Sequence, residues 1–250
     1  MKLNHQFLSI LTCLIIVINF QIQSTIAQTR SQIEDAAYSI LVQIVSPSIT
    51  QENKLVLRGS GVIIKNEGRK YYVITNSHVI DDDSSYKIRL NRTHPNPYDI
   101  EIIKQSSGQD LALLSFISYQ NHKVAELGSN EIDPNPIYVA GFTSRGEDYR
   151  FDFTSGKIIN IDSNYNLQYN NRTNNGMSGG PVLDQNGFLI GIHKGVRKGI
   201  SITNIRQFLN DPIPSIDQSS SPLLIDNPSS PDNSLPLCSK VLFGACREEE

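Results

Sequence analysis

A serine lies among glycines in the stretch 175–181, which reads Asn-Gly-Met-Ser-Gly-Gly-Pro. Gly176 has no Cβ, so its backbone is free to adopt turn conformations that bring N–H groups close to a ligand. The N–H groups of Gly176 and Ser178 would then point at one spot beside the Ser178 hydroxyl. Acyl transfer through a tetrahedral intermediate needs this arrangement, a nucleophile beside two fixed donors. The alternative is a glycine-rich hairpin loop of a β protein with no catalytic role.

Two further segments offer the base and the orienting acid that such a serine needs. His78 follows the apolar run 71–74, and Asp110 immediately precedes the apolar segment 111–116. A carboxylate at the start of a buried strand must find a donor. The ring N–H of His78 would serve and would fix the imidazole tautomer, so that the other nitrogen faces Ser178. Taken singly, either residue would equally suit a turn or loop cap, but their order His, Asp, Ser favours a triad.

The elements that must position these residues are short apolar segments separated by Gly, Pro and Asn. They predict strands over residues 40–45, 55–64, 71–75, 86–90, 98–103, 111–116, 137–142, 156–161, 167–170, 180–183, 188–193 and 200–203. This spacing favours an all-β barrel or sandwich over alternating strands and helices. The Gly-Ser-Gly at 59–61 predicts a bend or bulge. Helices are expected only as a short one around 33–37 and a closing one over 203–209.

The two ends of the chain differ in composition from its middle. Residues 1–27 combine a weakly basic start, an apolar run over 7–20 and a small residue, Ala27, at the cleavage edge. This layout predicts a signal peptide and a secreted or periplasmic protein, with an uncleaved anchor as the alternative. The folded domain is expected over 28–211. The Pro- and Ser-rich stretch 212–250 predicts a disordered tail, in which Cys238 and Cys246 are able to close a small disulfide loop.

Composition excludes some functions. The chain of 250 residues has a net charge of −3 and a charged fraction of 19%, which gives no basis for binding nucleic acid or anionic lipid. No His-Glu-x-x-His motif occurs, and His94 and His122 lie in separate polar stretches without ligand spacing. We therefore expect no metal and no cofactor.

Together the motifs resemble the chymotrypsin-like (trypsin-like) serine peptidases, in particular the compact bacterial branch. That branch includes the high-temperature-requirement proteases and the staphylococcal glutamyl endopeptidases. The similarity extends over about 40–209 and includes the Gly-Ser-Gly-Val-Ile at 59–63. It implies two six-stranded antiparallel β-barrels, with His78 and Asp110 from the first, Ser178 from the second, and the active site between them. It also implies hydrolysis of protein or peptide substrates through an acyl-enzyme.

The sequence departs from the digestive members of the family at one position and matches the glutamyl endopeptidases at two. Digestive members carry an aspartate before the serine that pairs with a freshly cut N-terminus; Met177 stands there and cannot do so, which predicts no activation switch of that kind. Glutamyl endopeptidases carry a threonine five residues before the serine and a histidine fifteen after it. Thr173 and His193 match these places. A hydroxyl and an imidazole suit a carboxylate, which implies cleavage after Glu or Asp; the alternative is a wall histidine without a selective role.

Three other functions are compatible with these motifs. One is a catalytically silent protein-binding module with the same fold. Another is a quality-control protease with a different preference at P1, although such proteases carry peptide-binding domains after the protease and the tail here is short and polar. A third is an esterase that uses the same triad. If the triad is active, activity should fall below about pH 6 to 7, because the histidine must be neutral to accept a proton.

Overall fold

The computed structural model describes residues 28–212, apart from 49, 53, 81–84, 91–95, 131–135 and 146–147. The predicted signal peptide, the predicted tail beyond residue 212 with its two cysteines, and His94 lie outside the described residues. Within the described part, the chain forms two seven-stranded antiparallel sheets and two short α-helices. No helix of this part is long and apolar enough to cross a membrane.

The first sheet is built from the first half of the chain. Its strands are β1 (Leu41–Pro47), β2 (Leu55–Glu67), β3 (Lys70–Thr75), β4 (Lys87–Arg89), β5 (Tyr98–Asp99), β6 (Glu101–Ser106) and β7 (Leu111–Ile117). They lie in the order β5-β4-β1-β2-β3-β7-β6. Tyr98 of β5 packs against Phe116 of β7 with ring centroids 5.1 Å apart, so the sheet curls toward itself. A turn of 3₁₀ helix, Ser77–Val79, follows β3 directly.

Strand β2 carries the predicted irregularity. The pairing of β1 with β2 shifts by one residue, because Ile44 faces Gly59 whereas Val45 faces Leu57, so that Arg58 forms a β-bulge. From Gly59 onward the strand is buried for five consecutive residues instead of alternating. The predicted bend is therefore present, one residue before the Gly-Ser-Gly sequence.

The second sheet is built from the second half of the described chain. Its strands are β8 (Ile137–Arg145), β9 (Asp148–Gly156), β10 (Ile158–Ile161), β11 (Asn166–Tyr169), β12 (Pro181–Leu183), β13 (Leu189–Gly195) and β14 (Lys198–Ser201). Their order is β10-β11-β14-β13-β12-β8-β9. β9 is absent from the strand predictions, although Tyr149, Phe151 and Phe153 alternate with polar residues at the strand period.

The predicted fold class is confirmed as all-β with two curled antiparallel sheets. Each sheet has seven strands where the resemblance implied six. In the first sheet, the segment predicted over 98–103 is interrupted at Ile100 and forms both β5 and β6. In the second sheet, β9 is the additional strand, paired along its whole length with β8.

The two helices pack their apolar faces on the body of the protein. Helix α1 (Arg30–Ile40) is longer than predicted, because Thr29 and Gln32 form a capping box at its start. Helix α2 (Ile202–Asn210) lies where it was expected and buries one face. The buried ammonium of Lys104 donates to the carbonyls of Phe208 and Asp211, which satisfies the C-terminal end of α2.

Three apolar clusters form the core. One lies against the first sheet and includes Val42, Val73 and Leu114. A second lies against the second sheet and includes Leu167 and Met177. The third and largest joins residues of both sheets to the two helices. The two sheets are therefore held together by a continuous apolar contact, which fixes the loops at their junction.

Candidate active site

His78 is positioned by the 3₁₀ turn that follows β3. Its neighbours Ser77 and Val79 are buried and anchor the turn, and the Ser77 hydroxyl accepts a hydrogen bond of 3.0 Å from the Gln105 side chain. The His78 side chain itself is 43% exposed. The turn thus presents an imidazole ring at the surface from a fixed backbone.

Asp110 meets His78 from the start of β7. His78 Nδ1 lies 2.9 Å from Oδ1 and 3.0 Å from Oδ2 of Asp110, and the His78 backbone N–H donates to Oδ1 at 3.1 Å. Asp110 has a left-handed backbone conformation with φ of +53°, which is uncommon for an aspartate. The Asn76 side chain donates to its carbonyl at 3.1 Å. The neighbouring groups therefore hold this strained residue in place.

The ionisation of Asp110 decides which His78 nitrogen carries the proton. Burial alone would raise the Asp110 pKa, but the hydrogen bonds from His78, the His78 charge and the Lys194 ammonium outweigh it and hold the pKa below its usual 3.8. Lys194 Nζ lies 3.8 Å from Asp110 Oδ2. An ionised carboxylate only accepts, so Nδ1 of His78 is the donor in this pair. In the neutral ring, Nε2 is then left as a proton acceptor.

Ser178 lies in the loop between β11 and β12. Backbone hydrogen bonds within this loop fix its conformation. The Met177 N–H donates to the Asn174 carbonyl at 3.3 Å, and the Gly180 N–H donates to the Met177 carbonyl at 2.9 Å. Met177 is fully buried in the core of the second sheet. A Cβ on Gly141 would come within 2.6 Å of the Met177 Cα, so only glycine permits this packing. An apolar side chain thus anchors the loop at the position before Ser178.

Ser60 of β2 fastens the Ser178 loop to the first sheet. Its N–H donates to the Ser178 carbonyl at 2.8 Å, and its hydroxyl donates to the Gly176 carbonyl at 2.9 Å. The same hydroxyl accepts from the Phe142 N–H at 2.8 Å, and the Thr75 hydroxyl donates to the Ser60 carbonyl at 2.7 Å. Ser60 was not among the predicted site residues, although it is the polar residue between two glycines of β2.

Gly59 is the point at which the His78 turn and the Ser178 loop approach each other. A Cβ on Gly59 would lie 2.7 Å from a methyl group of Val79 and 3.0 Å from the Ser178 carbonyl oxygen. Val79 directly follows His78. The structure therefore brings the segments that carry the three predicted residues to one junction between the sheets.

The loop leaves two backbone donors unused. Met177, Gly179 and Gly180 each donate to a backbone carbonyl, and Gly176 has a φ of +93°. Among the described residues, no backbone hydrogen bond uses the N–H of Gly176 or of Ser178. These are the two donors predicted to bind an oxyanion.

His193 of β13 lies directly beside the Ser178 loop. Its N–H donates to the Gly180 carbonyl at 2.8 Å, and its carbonyl accepts from the Gly179 N–H at 2.9 Å. The ring is buried, and its Nδ1 lies 2.5 Å from the Tyr169 hydroxyl. Thr173 is half-buried in the loop that also carries Ser178. Tyr169, four residues before Thr173, was not predicted as part of the site.

Burial dominates the protonation of this second histidine. It lowers the pKa of His193 to about 4, against a smaller opposing effect of a backbone hydrogen bond with Lys198, and the charge of His78 lowers it further. Burial also raises the pKa of the Tyr169 phenol. At neutral pH both side chains are therefore uncharged.

The described residues include no cluster of side chains suited to bind a metal ion. Among the described residues, no group of three or more His, Cys, Asp or Glu side chains is placed to hold a metal ion. His122 instead packs edge-on against Tyr71, and its Nε2 lies 2.8 Å from the Ser118 hydroxyl.

Comparison with known proteins identifies the family. The sequence model of the trypsin-like peptidase domain matches residues 59–192, which is more than half of the chain. The chain therefore belongs to the trypsin-like peptidase family. The fold agrees with the active form of the Rv3671c protease from M. tuberculosis, with a TM-score of 0.57 over 71% of this chain and 82% of that one, at 19% sequence identity.

The chain is also similar in sequence to curated serine proteases. The chain is 31% identical over 153 residues to "Serine protease Do-like HtrA" of Bacillus subtilis, a match that covers 54% of this chain and 32% of the relative. It is 29% identical over 157 residues to "Periplasmic serine endoprotease DegP" of Salmonella typhimurium, covering 58% and 31% respectively. This chain thus spans about a third of the length of each relative.

Proposed function

We propose that the protein is a serine endopeptidase. Ser178 attacks the scissile carbonyl, and His78 accepts its proton through Nε2 and later passes it to the leaving amine. Asp110 orients the ring and stabilises its cation, while the N–H groups of Gly176 and Ser178 bind the oxyanion. The observation that carries the proposal is the His78–Asp110 contact of 2.9 Å at the junction where the Ser178 loop is fastened. Membership of the trypsin-like peptidase family supports it.

Covalent labelling tests this proposal directly. A fluorophosphonate probe should add one adduct to the purified mature protein, and peptide mapping should place the adduct on Ser178. The Ser178→Ala variant should neither label nor cleave casein, while its free energy of unfolding stays within about 1 kcal/mol of wild type. A folded wild-type protein that does not label would favour the catalytically silent binding module. Comparison of matched ester and amide substrates separates an endopeptidase from an esterase.

We also propose that the protein cleaves after Glu or Asp. His193 is held beside the Ser178 loop by two backbone hydrogen bonds, and Thr173 lies in the same loop, so both are near the nucleophile. A hydroxyl and an imidazole are suitable partners for a carboxylate side chain. Digestion of a peptide library tests this preference. Cleavage chiefly after Lys, Arg or large apolar residues would rule it out.

A secreted or periplasmic location completes the proposal. It is supported by the signal-peptide layout of residues 1–27 and by the name of the Salmonella relative, a periplasmic endoprotease. The substrates are then proteins or peptides outside the cytoplasm. Cell fractionation should find the protein outside the cytoplasm, and recovery only from the cytoplasm would contradict this location. Mass spectrometry should find a mature chain that begins near Gln28, and an intact N-terminus at Met1 would favour the uncleaved anchor.

A further inference from the structure

The Tyr169 hydroxyl has two hydrogen-bonding neighbours but only one hydrogen. It lies 2.6 Å from the Lys198 carbonyl oxygen and 2.5 Å from Nδ1 of His193. A carbonyl oxygen can only accept, so the hydroxyl hydrogen must point to Lys198 for that contact to be a hydrogen bond. The contact with His193 then requires a hydrogen on Nδ1. This is the one distribution of protons that satisfies both contacts.

The consequence is a fixed tautomer of His193. A neutral imidazole carries one hydrogen, and here Nδ1 holds it. Nε2 therefore carries the lone pair. Water does not offer the hydroxyl another partner, since Tyr169 is fully buried and the His193 residue is 1% exposed. Burial keeps the phenol protonated and lowers the pKa of His193 to about 4, so the neutral form prevails in the free protein.

The surrounding charges do not favour protonation of this ring. From the first sheet, the charge of His78 opposes a second positive charge on His193. The neighbouring groups from the second sheet are uncharged: they are the Lys198 backbone carbonyl of β14 and the Tyr169 phenol of β11. On its own strand, the Lys194 ammonium lies near Asp110, whose carboxylate is already bonded to His78. The carboxylate among these neighbours, that of Asp110, is thus already bonded to His78 and does not stabilise a His193 cation.

We propose that Tyr169 is a specificity-determining residue, which fixes His193 as an acceptor so that an acidic P1 side chain binds only together with one proton. This inference rests on the proposed preference for Glu or Asp. A carboxylate carries only lone pairs and would face the lone pair of Nε2. One proton taken from solvent lies between the two and forms a charge-assisted hydrogen bond. A glutamine side chain brings its own N–H and needs no proton.

Proton uptake makes the preference for glutamate over glutamine depend on pH. When binding takes up one proton, affinity falls about tenfold for each unit of pH above the pKa of the free site. Glutamine binding is unaffected by this equilibrium. The ratio of kcat/KM for the two substrates therefore isolates His193, because the ionisation of His78 affects both substrates equally and cancels.

The kinetic test uses two peptides that differ only in Glu or Gln at P1, between pH 5.5 and 8.5. For wild type, the Glu:Gln ratio of kcat/KM should fall about tenfold per pH unit. In Tyr169→Phe the hydroxyl that accepts from Nδ1 is gone and only the Lys198 carbonyl remains near the ring. The preference for a hydrogen on Nδ1 is then weaker, and the ring gains access to the tautomer that donates from Nε2 to the carboxylate. The ratio should then change less than about twofold across the range. A pH-independent ratio in an active wild type would overturn the inference while leaving the proposed endopeptidase activity intact.

Two measurements on Ser178→Ala test the same inference without activity. The ¹⁵N shifts of labelled histidine, assigned with a second variant, Ser178→Ala/His193→Asn, should show a protonated Nδ1 and a bare Nε2 at pH 7. A hydrogen on Nε2 in the free protein would overturn the inference. Calorimetry of two peptides that end in glutamate or in glutamine, in two buffers of different ionisation enthalpy, should show uptake of about one more proton for the glutamate peptide than for the glutamine peptide. Equal proton uptake by the two peptides, or no binding of the glutamate peptide, would also contradict the proposal, whatever the labelling of Ser178 shows.

Discussion

Each sheet contributes one histidine near Ser178, and the two rings have opposite surroundings. His78, from the first sheet, is 43% exposed and directs Nδ1 to the ionised Asp110. His193, from the second sheet, is buried and directs Nδ1 to the neutral phenol of Tyr169. Both rings donate from Nδ1, so both leave Nε2 as the acceptor in the neutral state.

The difference lies in what stabilises the protonated ring. A carboxylate offsets the charge of an imidazolium, whereas a buried phenol does not. The ring beside Asp110 is therefore suited to accept a proton during a reaction, and the ring beside Tyr169 is suited to remain neutral until a ligand brings a charge. In the proposed mechanism one residue type thus serves as a base in one sheet and distinguishes P1 side chains in the other, according to its partner.

Asp110→Asn breaks the comparison at its strongest point. The amide removes the negative charge that stabilises the imidazolium and allows the wrong tautomer of His78. We expect kcat to fall by about 10⁴-fold with little change in KM. Steady-state kinetics on a peptide substrate measures this loss. The matched control is Asp99→Asn, since Asp99 is an exposed aspartate paired with Lys87 and should retain wild-type kcat. A loss of less than about tenfold in Asp110→Asn would show that the carboxylate does not support catalysis.

Gly179→Ala tests the contact between the Ser178 loop and the first sheet. Gly179 has a φ of +86°, and a Cβ there would lie 2.0 Å from the Ser60 carbonyl oxygen and 2.3 Å from the Thr75 hydroxyl. Left-handed strain and a clash with backbone together should cost about 4 kcal/mol of unfolding free energy. Urea unfolding measures the change. Gly108→Ala is the control, because nothing lies within 4 Å of a Cβ at that position. Equal stability of the two variants would contradict the close approach of the sheets.

The buried histidine should make the fold sensitive to acid. Its pKa is about 4 in the folded protein and 6.5 without burial, so between these values the unfolded chain binds the additional proton. Stability should therefore fall as pH decreases from about 6.5 to 4, by about 3 kcal/mol from this residue. Urea unfolding at pH 7 and pH 4.5 measures the slope. His193→Asn should lose most of this slope, whatever its stability at pH 7; an unchanged slope would mean that another group causes it.

Much of the fold follows from local sequence. The period of apolar residues predicts most of the strands, and α2 begins and ends within one residue of its expected bounds. The full length of α1 depends on a capping box formed by Thr29 and Gln32, which extends the helix beyond its apolar residues. The strand β9 shows the expected alternation, but its pairing with β8 is what fixes its length.

The site likewise contains residues that local sequence predicts and residues that it does not. His78, Asp110 and Ser178 stand out because each has a distinctive neighbouring sequence, and their roles remain predictions for the experiments above. Tyr169 carries no such signal, and the Gly-Ser-Gly sequence around Ser60 predicts a bend but not the contacts of its hydroxyl. Their contacts join residues 24 and 116 positions apart, so their importance arises only when the sheets assemble. A tyrosine in a strand is ordinarily a core residue, and its sequence does not indicate which group its hydroxyl meets.

Ser60→Ala sharpens the comparison by removing one side-chain contact between the sheets while both histidines remain. The variant keeps the backbone hydrogen bond to Ser178 but loses the hydroxyl that bridges the Gly176 carbonyl and the Phe142 N–H. Removal of an oxyanion donor costs about 10²–10³-fold in kcat, and a residue that only positions that donor should cost less, roughly tenfold. Ser39→Ala is the control, since its exposed hydroxyl bonds only within α1.

A purely structural role for Ser60 would give a different result. Peptide aldehydes form a tetrahedral adduct that uses the oxyanion donors, whereas product peptides do not. If Ser60 positions Gly176, the variant should lose about tenfold in aldehyde affinity and little in product affinity, in parallel with kcat. Equal losses for both ligands would mean that the hydroxyl only stabilises the fold. The position of Gly176 would then depend on the other contacts of its loop and not on the Ser60 hydroxyl.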